Sequence, residues 1–377
     1  MDANEIDVIY GSSPQEMVLK LLTQIKPEEG LVPEARIGIK PNLVVAKPSS
    51  SGATTSPQLV AGVIEYFQSK GYHNLCILEG SWVGERTPEA FKVCGYVELA
   101  KGYNIPLIDL QKDSYRDYDI EEMKLKVCDE VMALDYLINI PVLKGHCQTK
   151  MTCALKNMKG CIPDMEKRRF HSLGLHRPIA CLNRLIRQNL ILVDGMMGDL
   201  NFEEGGHPVA MNRILAAKDP VLMDSYVAGL MGFEVAEIPY IQIAESLGVG
   251  NANLDNAVIR ELNAAQNGPD ILNIPRFNGF AKYVEEREAC SACYGSLMHA
   301  LERLRQDGEL DKVKSKLYIG QYYRGKSLAG IGIGSCTNSF HDCIQGCPPK
   351  ARDIIGYLRK IDSHPDQGKQ TGCPDTE

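Results

Sequence analysis

Five cysteines in the last quarter of the chain have a spacing suited to metal chemistry. They are Cys290-x2-Cys293, then Cys336, Cys343 and Cys347 inside the run GIGIGSCTNSFHDCIQGCPPKA at 330–351. A C-x2-C pair sets two thiolates at neighbouring corners of a metal or cluster site. Cys336 follows an apolar run in a glycine-rich turn, where the backbone can approach an inorganic cluster and aim N–H groups at its sulfurs. Cys347 is followed by Pro348 and Pro349, and the second proline suits a helix start whose positive end favours an anionic cluster. Three readings stand side by side: a [4Fe–4S] cluster, structural zinc, or unligated thiols. Zinc folds usually present two knuckle pairs, and this chain has one. The G-I-G-I-G run at 330–334 lacks G-x-G-x-x-G spacing, which argues against nicotinamide binding.

A second concentration of chemistry lies at 144–177, which gathers Lys144, His146, Lys150, Lys156, Lys159, Lys167, Arg168, Arg169, His171, His176 and Arg177. The chain as a whole is acidic, with a formal net charge of −7. Four of its eight histidines stand at 146, 171, 176 and 207. The functional reading is an anion-binding cleft. Lys150 and Lys156 would take a carboxylate or phosphate, Asn42 and Asn157 would orient it, and His146 or His171 would move a proton. Lys40, His176 and His207 join this group as substrate-binding candidates. Crowded cations should depress any histidine pKa by like-charge repulsion and keep the ring neutral near pH 7. The alternatives are a solvated basic face or a histidine metal site.

Positioning these residues requires strand ends. RIGIK (36–40), NLCILEG (74–80), DYLINIPVL (135–143) and NLILVDG (189–195) read as strands, with helical patterns between them. Ser56, Pro57 and Gly71 punctuate a helix whose Val60, Val63, Ile64 and Phe67 share one face. Further helices are expected at Val221–Met231 and Tyr240–Leu247. This alternation argues an α/β fold with a largely parallel sheet flanked by helices. In such sheets ligands gather at the carboxyl ends of strands, which is where KPN (40–42) and LKGH (143–146) fall. Lys156-Asn157 would come about three turns after His146 if that stretch is helical. Asn, Gly and Pro become frequent at 262–280, which reads as a linker. Beyond it a smaller α/β unit is expected, with helices at Gly295–Arg305 and from Pro349 to about Leu358, and strands at Lys316–Ile319 and Ala329–Ile333. The expected domains are therefore 1–275 and 276–377, the second a cluster-binding unit.

Composition bounds the rest. The chain has 377 residues, 44% hydrophobic and 24% charged, which is ordinary for a globular protein of two domains. No long basic run supports a nucleic-acid surface, and no apolar stretch is long enough to span a membrane. The N-terminus carries no signal-peptide pattern, so a cytoplasmic location is expected. In that reducing compartment thirteen cysteines are not disulfides. Cys76, Cys94, Cys128, Cys153 and Cys181 sit among apolar neighbours and read as core.

Several segments resemble the DUF362 family: GIKPNLV (38–44), TTSPQLVAGVIEYFQSKG (54–71), LINIPVLKGHCQTKMTCALKNMKGCIP (137–163), HSLGLH (171–176) and the stretch 191–233. That resemblance implies an α/β domain often joined to an iron–sulfur module, and a remote likeness of fold to the lactate-racemase superfamily. GCPPKARDIIGYL resembles the GCPP segment that supplies a cluster ligand in nickel–iron hydrogenase small subunits and in a cluster-bearing subunit of respiratory complex I. GSCTN (334–338) is similar to the cluster segment of aconitase-type dehydratases, but there the C-x2-C pair follows that segment and here it precedes it, so this match is read as coincidence. By these resemblances the cluster ligands are Cys290, Cys293, Cys336 and Cys347, with Cys343 a spare or alternative.

Three functions follow as expectations. The first is a [4Fe–4S] redox enzyme acting on a small anionic substrate, with a soluble electron carrier as partner. The second is a lyase or isomerase with a Lewis-acid or structural cluster. The third is an electron-transfer or cluster-handling protein that is not an enzyme. A Lewis-acid cluster keeps one iron free and needs three cysteines, and five are available here, which favours full ligation.

Overall fold

The computed structural model describes residues 1–146, 148–263, 271–273, 280 and 282–363. The chain divides into two compact units, Met1–Pro275 and Arg276–Glu377. Most of the segment expected as a linker (262–280), together with Cys147 and Cys373, lies outside the described residues.

The first unit runs β1 (Glu5–Tyr10), α1 (Pro14–Ile25), β2 (Ile37–Pro41), α2 (Pro57–Ser69), β3 (Leu75–Glu79), α3 (Thr87–Val93), α4 (Tyr96–Tyr103) and β4 (Leu107–Asp109). There follow β5 (Tyr115–Ile120), β6 (Met123–Cys128), α5 (Asp129–Met132), β7 (Tyr136–Ile140), β8 (Lys144–His146), β9 (Lys150–Thr152) and α6 (Ala154–Asn157). It closes with α7 (Asp164–Leu173), α8 (His176–Leu185), β10 (Leu190–Gly198), β11 (Val209–Ala217), α9 (Pro220–Leu230), α10 (Pro239–Ser246) and β12 (Val258–Glu261).

Eight of these strands form one sheet in the order β12-β1-β11-β10-β7-β2-β3-β4. Every neighbouring pair is parallel except the two that involve β11. The strands read as unbroken apolar runs because both faces are covered. On β3, Leu75 and Ile77 enter one apolar cluster with residues of α1 and α2. Cys76 and Leu78 point the other way, into a cluster with residues of α8 and α9. All four residues expected on the inner face of α2, Val60, Val63, Ile64 and Phe67, are fully buried. Each contributes roughly 1.5–3 kcal/mol relative to exposure. Pro57 opens this helix as expected, but Ser56 makes no side-chain cap to its backbone and bonds Gln58 instead.

The second unit holds β13 (Val284–Glu286), α11 (Ser291–Gln306), β14 (Leu317–Ile319), β15 (Ile331–Ile333), β16 (Asp342–Ile344) and α12 (Ala351–Ser363). Its four strands lie in sequence order and are all parallel, so their carboxyl ends share one rim. Leu297, Leu301, Leu317, Ile319, Ile333 and Ile354 are among its buried residues. The architecture is the largely parallel α/β sheet, followed by a smaller α/β unit, that the patterning predicts.

Candidate functional site

In the first unit the chain leaves β7, turns through 141–143 and forms an antiparallel hairpin of β8 and β9. This replaces the helix that would have put three turns between His146 and Lys156. Lys144 and His146 alternate with Gly145, so their side chains share one face. The opposite face lies against the 199–207 loop: a Cβ on Gly145 would stand 2.3 Å from the Leu200 carbonyl oxygen. Asp199 folds that loop by accepting from the amides of Asn201, Phe202 and His207 at 2.8, 2.9 and 2.9 Å.

Around the hairpin lies a buried ionic network. His146 Nε2 is 2.8 Å from Glu203 Oε2, and Lys156 Nζ donates to the same oxygen at 2.7 Å. His146 Nδ1 accepts from the amides of Gln148 and Thr149 at 3.0 and 3.1 Å. These contacts assign the proton to Nε2. Burial pushes this imidazole down to about 4, opposed by Glu203 and reinforced by Lys156. The ring is therefore neutral, as expected, but burial rather than like charge leads. Its acceptor nitrogen is already engaged by two amides, so in this arrangement it donates. Burial would raise Glu203, yet His146 and Lys156 prevail and hold its carboxyl well below the usual range.

Lys144 Nζ is fully buried and donates to Asn42 Oδ1 at 2.9 Å, Ala53 O at 2.5 Å and Glu203 O at 2.8 Å. All three acceptors are neutral, and burial takes its pKa down to about 7. Lys159 Nζ lies 3.4 Å from His171 Nε2. Burial, then Lys156, lowers Lys159 to about 7. Burial, then Lys159, lowers His171 to about 3. Asn42 Nδ2 donates to Asn157 Oδ1 at 2.7 Å, and Asn157 Nδ2 to Asn139 Oδ1 at 2.7 Å, so these amides orient one another beneath the lysines.

Other candidates lie elsewhere or are otherwise engaged. Lys40 is fully buried, and its ammonium meets Pro41 O and both oxygens of Glu79 at 2.9–3.1 Å. Glu79 also accepts from the amides of Leu43 and Gly80. This closed pair ties β2 to β3 and accounts for the burial of Lys40 without a ligand; breaking such a pair costs roughly 3–5 kcal/mol. Lys150 stands opposite His146 in register, but its φ of 63° departs from strand geometry. It pairs with Glu237 and lies over the Phe233 ring, away from the network. His176 stacks on Tyr240 with ring centroids 6.1 Å apart. His207 tilts against Phe202, with Nδ1 3.7 Å from Asp199. Sequence reasoning missed Glu203 as the carboxylate that joins His146 to Lys156, and gave Lys144 and Lys159 no role.

In the second unit, Cys290 and Cys293 follow β13, Cys336 follows β15 and Cys347 follows β16, so parallel strands deliver all four to one rim. Burial raises Cys290, and the charges of Cys336 and Cys347 add to it. Burial pushes Cys293 up to about 12, with Cys290, Cys347 and Cys336 adding. The four thiols thus sense one another. Gly334, at φ 87°, brings bare backbone beside them: a Cβ there would lie 3.8 Å from Cys293 Sγ. Two donors reach the thiols, Gln321 Nε2 to Cys290 Sγ and Arg324 Nε to Cys336 Sγ, both at 3.5 Å. Cys343 lies within β16 rather than beyond it, contacting Thr337 Oγ1 and Gly334 O. Among the described residues no three Cys, His, Asp or Glu side chains close on a point as one metal ion requires. The donor set, four thiols with N–H donors and a glycine cradle, fits the chemistry of a cluster bound through several irons. Cys76, Cys94, Cys128, Cys153, Cys161 and Cys181 are buried.

The family model for a domain of unknown function, DUF362, matches residues 37–229, just over half of the chain. The thylakoid-associated protein sll1697 of Synechocystis sp. is 25% identical over 244 residues, which is 62% of this chain and 75% of that protein. The solved structure of the lactate racemase apoprotein from Thermoanaerobacterium thermosaccharolyticum aligns with 61% of this chain at 12% identity and a TM-score of 0.37. This chain spans 57% of that structure, a likeness too distant to bear on chemistry. Among the described residues no helix is long and apolar enough to cross a membrane.

Proposed function

The chain belongs to the DUF362 family, and we propose that this member is an iron–sulfur redox enzyme acting on a small anionic substrate. Cys290, Cys293, Cys336 and Cys347 would hold a [4Fe–4S] cluster at the rim of the second unit. The observation that carries this reading is the delivery of those four thiols to one rim by parallel strands, with Cys343 set back inside β16. Bound there, a cluster supplies one-electron chemistry to the substrate or to a soluble carrier. Gln321 and Arg324 would donate to its thiolates and favour the added electron. Four thiols favour full ligation over a Lewis-acid site with an open iron.

The substrate site is the network of the first unit. Lys156 and Lys159 would bind the anion, and Asn42 and Asn157 would hold Lys144 in register beneath them. His146 offers an Nε2–H donor, and His171 is the imidazole beside Lys159. With no ligand bound, Glu203 holds the His146 Nε2–H and Lys156 in place. Keeping this many cysteines reduced suits the cytoplasm.

Single Cys→Ser variants of the full chain, purified anaerobically, test the ligand set. Iron content should fall sharply in Cys290→Ser, Cys293→Ser, Cys336→Ser and Cys347→Ser and stay unchanged in Cys343→Ser. If Cys343→Ser loses iron while Cys347→Ser keeps it, the ligand assignment is wrong.

A further inference from the structure

Of Lys144, Lys156 and Lys159, only Lys156 makes an ion pair among the described residues. Lys144, Lys156 and Lys159 lie near one another with His146 and His171, and Glu203 meets both Lys156 and His146. Lys144 meets three neutral oxygens. No ion pair joins Lys159 to a carboxylate among the described residues, and Lys156 must share Glu203 with His146. Glu203 itself comes from a loop, 199–207, whereas Lys144 and His146 lie on β8, Lys156 on α6 and His171 on α7. That loop is folded on its own Asp199 and touches the site through a backbone carbonyl to Lys144 and through the Glu203 carboxylate. A buried cation group is stable when oxyanions neutralise it, and a missing counter-charge shows as depressed lysines. Lys144 and Lys159 are both lowered to about 7.

We infer that the Glu203 carboxylate is a built-in stand-in for the ligand, and that the site takes the dianionic group of a phosphorylated small molecule, which displaces Glu203 from Lys156 and His146. This rests on the anion-site reading above and deepens it by naming the ligand class. The ion pairs favour a dianion: Glu203 pairs with one of the three lysines, and a phosphate monoester, with about −1.5 to −2 near neutral pH, would draw protons onto Lys144 and Lys159. The geometry selects a tetrahedral group. A carboxylate oxygen is already shared by Lys156 and His146, whereas a phosphate offers three strong acceptors, enough for Lys156, Lys159 and His146 Nε2–H together. The displaced loop stays tied by Asp199 and by Lys47 Nζ on the Glu204 carbonyl, 2.8 Å away, so it can move aside without unfolding.

The sign of one substitution separates this from a structural or donor role for Glu203. Inorganic phosphate is titrated calorimetrically into the full chain and into Glu203→Gln, which keeps the side chain's shape but removes its charge. The variant is expected to bind phosphate at least tenfold more tightly, because the internal competitor is neutralised, and Lys159→Met is expected to lose binding. Glu203→Asp, one methylene shorter and still charged, should also bind more tightly than the wild type; it keeps the test open if Glu203→Gln fails to fold. Wild-type binding with no gain in either Glu203 variant overturns the inference and leaves the anion site standing. No phosphate binding by any form overturns both. Acetate binding as tight as phosphate in Glu203→Gln overturns the dianion class.

Discussion

At the residue scale, a buried lysine with no ion-paired carboxylate, Lys144, makes a pH prediction of definite sign. Lys144 is held near 7 in the folded chain and sits near its ordinary 10.4 when unfolded. Between those values the unfolded chain binds more protons, so this group's contribution to stability rises with pH. The stability of the wild type relative to Lys144→Met, from urea midpoints, should therefore increase by roughly 1 kcal/mol for each pH unit above 7. A gap that stays constant or closes from pH 7 to 9 would contradict the burial argument. Arg324, whose Nε lies 3.5 Å from Cys336 Sγ, yields a second prediction. A cation beside a cluster favours the reduced, more negative state, so Arg324→Gln should lower the reduction potential with iron content unchanged. The cysteine set proposed to hold the cluster is readable in sequence because C-x2-C, GSC and GCPP are local signals. Glu203 was not, because its bond to Lys156 crosses 47 positions and no spacing rule reaches that far.

At the element scale, the strands of the first unit legible in the sequence were those buried on both faces, β2, β3, β7 and β10, and β14 and β15 of the second unit were legible as well. The β5–β6 hairpin carries exposed residues on YRDYDI and was passed over. The β8–β9 hairpin was missed because KGH and KMT carry no apolar alternation to mark them as strands. Its position depends on Gly145, where the 199–207 loop passes at backbone distance. A methyl group there must push the Leu200 carbonyl away. Gly145→Ala should cost roughly 1–3 kcal/mol, the usual range for overpacking, measured as a lowered urea midpoint. A variant as stable as the wild type would mean that the loop does not rest on the hairpin.

At the scale of the whole molecule, the α/β class and the smaller second unit followed from alternating apolar strands and helical patterns, which survive without knowledge of contacts. The reversed strand of the eight-stranded sheet, β11, did not follow, since its pattern is equally compatible with a parallel neighbour. The second unit is proposed to hold a [4Fe–4S] cluster on Cys290, Cys293, Cys336 and Cys347. The most direct measurement is the iron and acid-labile sulfide content of the anaerobically purified full chain, with EPR spectra before and after dithionite. The account predicts about four iron and about four sulfide per chain, with a signal that appears on reduction. A chain carrying zinc and no sulfide, or one that retains no metal when purified without oxygen, would contradict it.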